Sequence, residues 1–309
     1  MIIKVKIKGV LTEITIPDSK YWIDRNKQRV TPYWTKADNL EKRMNKEFQA
    51  AFKDLEKELY TFAGKQTEDG ILTYSQNRVV ALMKEIKPHV DKLYGSHQTS
   101  LTDLLMETYK DNYFKALYDL SRGTKIYGSF VGINERAIKA AISFPWSGAN
   151  FSDRIYNNKN RLIGTLRTEL TQSIIRGDSI KTTARTVASR LDISAKNAGR
   201  LVQTEMGSVM SMSDKAAYKE YDVDEYEYCS VFDARTSQQC RDMDGQVFRV
   251  DDMVIGVNAP SLHPNCRSST TAFFSDAMGS KLVKGLDDGK YKYIDSNIDY
   301  RTFEQDYID

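Results

Sequence analysis

"KADNLEKRMNKEFQAAFKDLEKELYTF", residues 36–62, decides the architecture. Leu40, Met44, Phe48, Phe52 and Leu55 recur at steps of three and four residues, which lays one apolar face along a long helix. Glu–Lys pairs fill the opposite face, the ordinary arrangement of a solvated side. Outward from this stretch the same period returns repeatedly. After a break at "QTEDG" (66–70), with Gly70 as the stop, a second helix is expected from about Thr73 to Ile86 and ends at Pro88. A third, "LTDLLMETYKDNYFKALYDLSR" (101–122), is capped by Ser100 or Thr102 and closed at Gly123. His89 and His97 fall in polar, loop-like sequence between these helices and read as ordinary surface residues.

On the N-terminal side, residues 2–16 alternate apolar and polar positions around Lys8-Gly9, the pattern of a strand pair. So short a hairpin must pack on the body, or alternatively on another protein by edge pairing. On the C-terminal side, residues 128–160 read as a connector in which Trp146 is an anchor. Three helices follow. Arg161–Ile175 carries Leu162, Leu166, Leu170 and Ile174 and stops at Gly177; residues 178–193 start at Asp178 or Ser179; residues 194–221 start at Ser194. Met206, Met210 and Met212 on the last of them have the spacing of core filler. Beyond Tyr221 three short strands are expected, in "EYEYCSVFDART", "DGQVFRV" and "STTAFF" (269–274), with a turn at Asp244-Gly245. The Tyr- and Asp-rich tail 283–309 shows no period and reads as a flexible end or a segment that orders on a partner.

The fold class is therefore mainly α with a small α+β C-terminal domain and an elongated helical N-terminal arm. The expected division is a helical region with a short hairpin at 1–125, a domain at 126–275 of helices then a small sheet, and a tail at 276–309. Length is compatible with about two domains. With 45 basic and 42 acidic residues among 309, bulk charge does not announce a nucleic-acid binder. Mean hydropathy is −0.53, and no run approaches the ~20 apolar residues of a membrane span. The N-terminus lacks the apolar core of a signal peptide. Three cysteines, an odd number, argue against a disulfide framework and for a reducing compartment.

The chemistry-bearing residues gather in two segments, "DARTSQQCRDMDG" (233–245) and "LHPNCRSST" (262–270), in a chain with only three histidines. Three readings compete. Cys229, Cys240, His263 and Cys266 spell C-x10-C-x22-H-x2-C, a thiolate–imidazole set that zinc accepts, although the tight C-x2-C knuckle is missing. Cys266 or Cys240 beside His263 is a candidate nucleophile–base pair, activated by Arg267 or Arg241. The preferred reading is a polar clasp of Glu205, Asp233, Arg235, His263 and Arg267, in which arginines fork onto carboxylates such as Asp233, Asp244 or Glu205 and fasten a small sheet. No cofactor is expected under that reading. Zinc at Cys240, His263 and Cys266, with Cys229 as a fourth ligand, is the alternative.

The order of "QTE" late in a helix, "DARTSQQCRDMDG" and "HPNCR" resembles the phage head-morphogenesis family, the Mu F-like minor capsid proteins. "FPWSGANFSDRIYNN" and "IIRGDSIKTTARTVASRL" are also similar to the family's connector and the helices leading into its signature. The resemblance covers roughly residues 125–275. Carried over position by position, it marks Thr204, Glu205, Asp233, Arg235, Thr236, Cys240, Asp244, Gly245, His263, Pro264, Cys266 and Arg267. Many members have cysteine where this chain has Ser237 and Ser268, which weakens a metal or disulfide role carried over from them. The resemblance implies a minor capsid protein of a tailed bacteriophage. Its place would be the virion, in the capsid interior at or near the portal, after synthesis in the host cytoplasm. Its role would lie in head assembly and DNA packaging or ejection. Implied partners are the portal protein, the major capsid or scaffold protein and viral DNA, with no membrane contact while in the head. Local basic groups such as "KNRLIGTLR" would touch DNA through phosphates. The rival reading is a nuclease or ADP-ribosyltransferase-like effector using His263, because relatives are often fused to toxin domains. It needs a carboxylate such as Glu205 or Asp233 facing that histidine.

Overall fold

A computed structural model describes residues 2–7, 10–15, 17–66, 76–124, 132–231, 233–274, 280–284 and 291–295. The expected breaks at Lys8-Gly9 and Gly70, and most of the C-terminal tail, lie outside the described residues. Among those described there are six helices and seven short strands. In chain order they are β1 (Ile2–Ile7), β2 (Val10–Thr15), α1 (Ser19–Gln66), α2 (Gln76–Thr124), α3 (Glu135–Ile142), α4 (Phe151–Arg176), α5 (Ile180–Glu220), β3 (Glu225–Cys229), α6 (Gln238–Met243), β4 (Val247–Arg249), β5 (Ser269–Phe273), β6 (Ser280–Lys284) and β7 (Tyr291–Asp295). The fold is mainly helical with a small antiparallel sheet near its C-terminal end, as the sequence indicates.

The helices are longer than the punctuation of the sequence suggests. α1 begins at Ser19, well before Lys36, and runs through Pro32. α2 runs through Pro88 and reaches Thr124, so the second and third expected helices are one. Proline removes one hydrogen bond and crowds the preceding turn. Here Leu82, Met83, Ile86, Val90, Leu93 and Tyr94 are all buried, so the apolar stripe continues across the proline and its packing offsets that cost. α5 likewise joins the last two expected helices, because Val187, Leu191, Ala195, Ala198 and Val202 carry the stripe past Ser194. Ser179 does start it, its hydroxyl accepting from the Thr182 amide at 3.2 Å. The connector at 128–160 contains α3, capped by Asn134, and the first ten residues of α4. Asn150 and Asp153 form a reciprocal capping box there, and Gly177, at φ 68°, closes α4 in the left-handed conformation glycine favours.

The chain divides into two compact units. One comprises Ala37–Asp103 and Ala149–Val202, four helical segments around a shared core. Phe48 of α1 meets Tyr94 of α2 edge-on with ring centroids 6.0 Å apart, and Gly199 of α5 lies against Glu41 so closely that a Cβ would sit 2.7 Å from its carboxyl carbon. His97 belongs to this core and not to the surface: it is 2% exposed, beside Phe48, Tyr94 and Glu47. The sequence placed it in a polar loop because the second helix was expected to end at Pro88. Burial holds its imidazole neutral, down to about 4, and the Arg43 charge adds to that effect.

The other unit comprises Met1–Lys36, Leu104–Gly148 and Gln203–Asp309. β3 is the central strand of the sheet β4-β3-β5, antiparallel to both neighbours, with Tyr226 opposite Phe248 and Ala272. The sheet's core side and the helices bury Trp22, Tyr113, Leu117, Tyr218, Tyr226, Met253 and Phe274 in one cluster. A buried polar network crosses the same region. Arg29 of α1 is paired with Asp214 of α5 and donates to Asn112 of α2 at 2.7 Å. Asn112 donates in turn to Asp214 and to the Met210 carbonyl, and Thr270 of β5 donates to Asp214 at 3.3 Å. Tyr218 donates to the Thr270 carbonyl, and Asn26 to the Ser269 hydroxyl. Arg25 and Asp119 extend the network toward solvent.

Two outcomes are expected. Asp214→Ala leaves the Arg29 guanidinium buried beside a missing partner and lowers unfolding free energy by about 3 kcal/mol or more, whereas the apolar pair Arg29→Met/Asp214→Leu costs less than the sum of its parts, as read by urea denaturation. For His97, an unfolded imidazole takes up its proton near pH 6.5 while the folded one does so only near pH 4. Its contribution is therefore complete above pH 6.5 and is lost as pH falls toward 4. His97→Leu is expected to remove on the order of 3 kcal/mol of that acid slope in a series of thermal melts.

Candidate functional site

Leaving β3, the chain turns at Asp233, whose Oδ1 accepts from the Arg235 amide at 2.9 Å while its carbonyl accepts from the Thr236 amide at 3.0 Å. Ser237 then caps α6, accepting from the Cys240 amide at 3.2 Å. The Asp244 carboxylate accepts from the Ser230 amide at 2.8 Å and so ties the end of α6 back to the end of β3. The second segment is clamped onto α5. The Asn265 amide donates to the Thr204 hydroxyl at 3.1 Å, and the Ser261 hydroxyl donates to the Thr204 carbonyl at 2.8 Å. Gly207, one turn on, leaves room for this approach: a Cβ there would lie 2.5 Å from Ser261 Oγ and 3.3 Å from the Cys266 carbonyl. Asn265 adopts φ 61°, which turns the chain so that the Cys266 amide bonds the His263 carbonyl.

Two ties join the segments. In the first, Arg267 forks onto Asp233, with Nη1–Oδ2 and Nη2–Oδ1 both 2.7 Å. Burial opposes the Asp233 charge, but the Arg267 bonds and the nearby Arg235 outweigh it and hold the carboxyl at about 2. Arg235 contributes its charge from 3.8 Å with a side chain 79% exposed, so its main bond to Asp233 is the backbone one. In the second tie, Cys240 Sγ lies 3.0 Å from His263 Nε2 and 3.6 Å from Cys266 Sγ. Both cysteines are buried and free. The His263 Nδ1 faces the Pro264 carbonyl at 2.9 Å, and Nε2 also meets the Ser237 hydroxyl at 2.7 Å. Tyr228 closes the floor, its hydroxyl 3.3 Å from Cys240 Sγ and 3.8 Å from Cys266 Sγ. The hydrogen bond between the sulfurs, with burial, pushes Cys240 up to about 12, while the same bond draws Cys266 down to about 6, aided by backbone hydrogen bonds from Leu262 and Ser268.

The five residues expected to form one clasp thus occupy three places. Asp233, Arg267 and Arg235 meet. His263 stands with the cysteines. Glu205 accepts from the Trp146 indole at 3.1 Å and from Ser208, an arrangement that fixes the anchor expected of Trp146. Cys229 is absent from the group of potential metal ligands that Cys240, His263 and Cys266 form, with ligand atoms all within 4.8 Å of one another. The strand explains this: Tyr228 faces the sulfurs, so its neighbour Cys229 points to the other side of the sheet. Sequence reasoning missed Tyr228 and Gly207. The alternation of "EYEYC" carried the first signal; nothing short of coordinates marks the second. The cleft at this place is lined by Val231, Arg235, Thr236, Ser237, Cys240, His263, Asn265, Arg267 and Ser268. Among the described lining residues there is no carboxylate to face His263.

Residues 164–271, from α4 to β5 and including both ties, match the profile of the family described as Phage Mu protein F like protein. This segment of the chain is thus similar to the Mu F-like family, and the likeness extends to a phage minor head protein. It is similar to the minor head protein GP7 of Bacillus phage SPP1, 24% identical over 285 residues, which cover 86% of this chain and 92% of the relative. It is also similar to NAD(+)–arginine ADP-ribosyltransferase EFV of Enterococcus faecalis, 22% identical over 180 residues. That match takes in 57% of this chain and 36% of the relative, so it spans about a third of the longer protein. No solved structure matches.

Removing the fork separates the two arginines experimentally. Arg267→Ala is expected to cost roughly 1–3 kcal/mol in chemical denaturation, because Asp233 loses a bidentate, partly buried partner. Arg235→Ala, at a solvent-exposed side chain, is expected to leave the denaturation midpoint unchanged.

Proposed function

We propose that this chain is a minor head protein of a tailed bacteriophage that acts at or near the portal inside the head, in head assembly and in DNA packaging or ejection. The observation that carries this reading is the match to GP7 along 92% of that minor head protein's length, together with a Mu F-like segment that includes both ties between distant loops. The proposed partners are the portal protein, the major capsid or scaffold protein, and viral DNA held through its phosphates by exposed basic residues of α4 and α5. No helix among the described residues is long and apolar enough to cross a membrane.

The ADP-ribosyltransferase relative motivates the rival reading, since its name states a transfer of ADP-ribose to arginine. The shared portion is only a third of that protein, and in this chain His263 faces Ser237 and Cys240. Structural use of the Mu F-like segment is the better-supported reading.

The test is co-expression with the portal protein encoded by the same phage, purification through a tag on the portal, and quantitative mass spectrometry of purified heads before and after genome release. This chain is expected to co-purify with the portal, to be present in few copies in full heads, and to change in amount on ejection. Absence from both the portal complex and the heads would sink the reading, as would robust arginine modification by the purified chain with NAD.

A further inference from the structure

We propose that Cys240 Sγ, Cys266 Sγ and His263 Nε2 bind one zinc ion, making a metal knot between α6 and the loop before β5. Three features of the geometry point there together. The ligand atoms of three residues from two segments, 23 and 26 residues apart in sequence, already converge within 4.8 Å. Two sulfurs on a tetrahedral zinc, each about 2.3 Å from the metal, lie about 3.8 Å apart; the observed separation is 3.6 Å. The imidazole edge, at 3.0 Å from Cys240, opens by about half an ångström to admit the ion.

The surroundings suit a cation more than an apolar core. The Pro264 carbonyl at His263 Nδ1 accepts that nitrogen's proton, which leaves the Nε2 lone pair on the side of Cys240 Sγ and the Ser237 hydroxyl; metal-bound histidines are held by such a carbonyl at the far nitrogen. Backbone hydrogen bonds from Leu262 and Ser268 and the Tyr228 hydroxyl surround sulfurs that would carry negative charge. Two thiolates and a neutral imidazole offset the charge of a divalent ion, so the buried site becomes neutral on binding, with the thiol protons released to solvent. Thiolate with imidazole selects zinc over magnesium or calcium. The fourth position faces the cleft beside Ser237 and is filled by its hydroxyl or by water. Cys229, on the other face of β3, takes no part.

The full-length chain, purified without chelators or added metal, is expected to contain one zinc per molecule by elemental analysis. Loading with cobalt(II) in place of zinc is expected to give thiolate-to-cobalt charge transfer and the intense visible bands of a tetrahedral site. Cys240→Ser and Cys266→Ser should abolish those bands, Cys229→Ser should keep them, and Ser237→Cys should strengthen the charge transfer by adding a thiolate. The wild-type cobalt spectrum stands even if a variant folds poorly, and circular dichroism identifies any that does. A wild-type chain that takes up neither metal, bands that survive Cys240→Ser, or an intact mass two hydrogens short from a Cys240–Cys266 disulfide would each overturn the assignment.

Discussion

The pairing of Arg29 with Asp214, deep between three helices and a strand, is the constraint on which the rest of this unit depends. Neither charge survives burial alone: Asn112 bridges both, Thr270 reaches Asp214 from β5, and Asp119 adds a second carboxylate 3.5 Å from Arg29 Nε. Such a pair adds little net stability compared with apolar packing of the same volume, because both ions lose their hydration. What it contributes here is register. The observed alignment of α1, α2 and α5 brings these donors and acceptors together at once. Because Thr270 lies three residues beyond Arg267, its bond to Asp214 also holds the start of β5, and with it the end of the preceding loop.

The loop is then fixed by contacts that differ in chemical kind. Thr204 and Ser261 hold its backbone to α5 through neutral hydrogen bonds. Arg267 and Asp233 join it to the turn after β3 through charge, and the cysteine–histidine group joins it to α6. A small three-stranded sheet has too little apolar area to order these connections by itself. Side-chain ties between the loops supply what a larger core would otherwise provide, which accounts for the crowding of histidine, cysteine and arginine into two short segments of a chain otherwise sparing with the first two.

Much of the fold was legible because helices advertise themselves by period. The stripe through Leu40, Met44 and Phe48 and the one through Leu162, Leu166 and Leu170 are both buried as their spacing requires. Local breakers misled. Pro88 and Ser194 punctuate the sequence, yet the apolar spacing on either side stays in phase, and phase proved the better guide. His97 was misplaced for the same reason. Of the site, the segments and their residues could be read, but not their partition: a linear sequence does not say whether His263 turns toward Asp233 or toward Cys240, since both lie within reach of a flexible loop. Arg29 and Asp214 were invisible as a pair, being ordinary charged residues 185 positions apart on helices that carry dozens like them.

The contact at Gly207 has an implication for how such chains diverge. The helix and the loop meet there with no space for a methyl group, and the atom in the way is the hydroxyl of Ser261. Enlarging one position demands shrinking the other, and the Cys266 carbonyl behind it leaves backbone little freedom to yield. These two sites should therefore drift in concert across lineages, a correlated pair more than fifty residues apart whose joint history records the helix–loop seam.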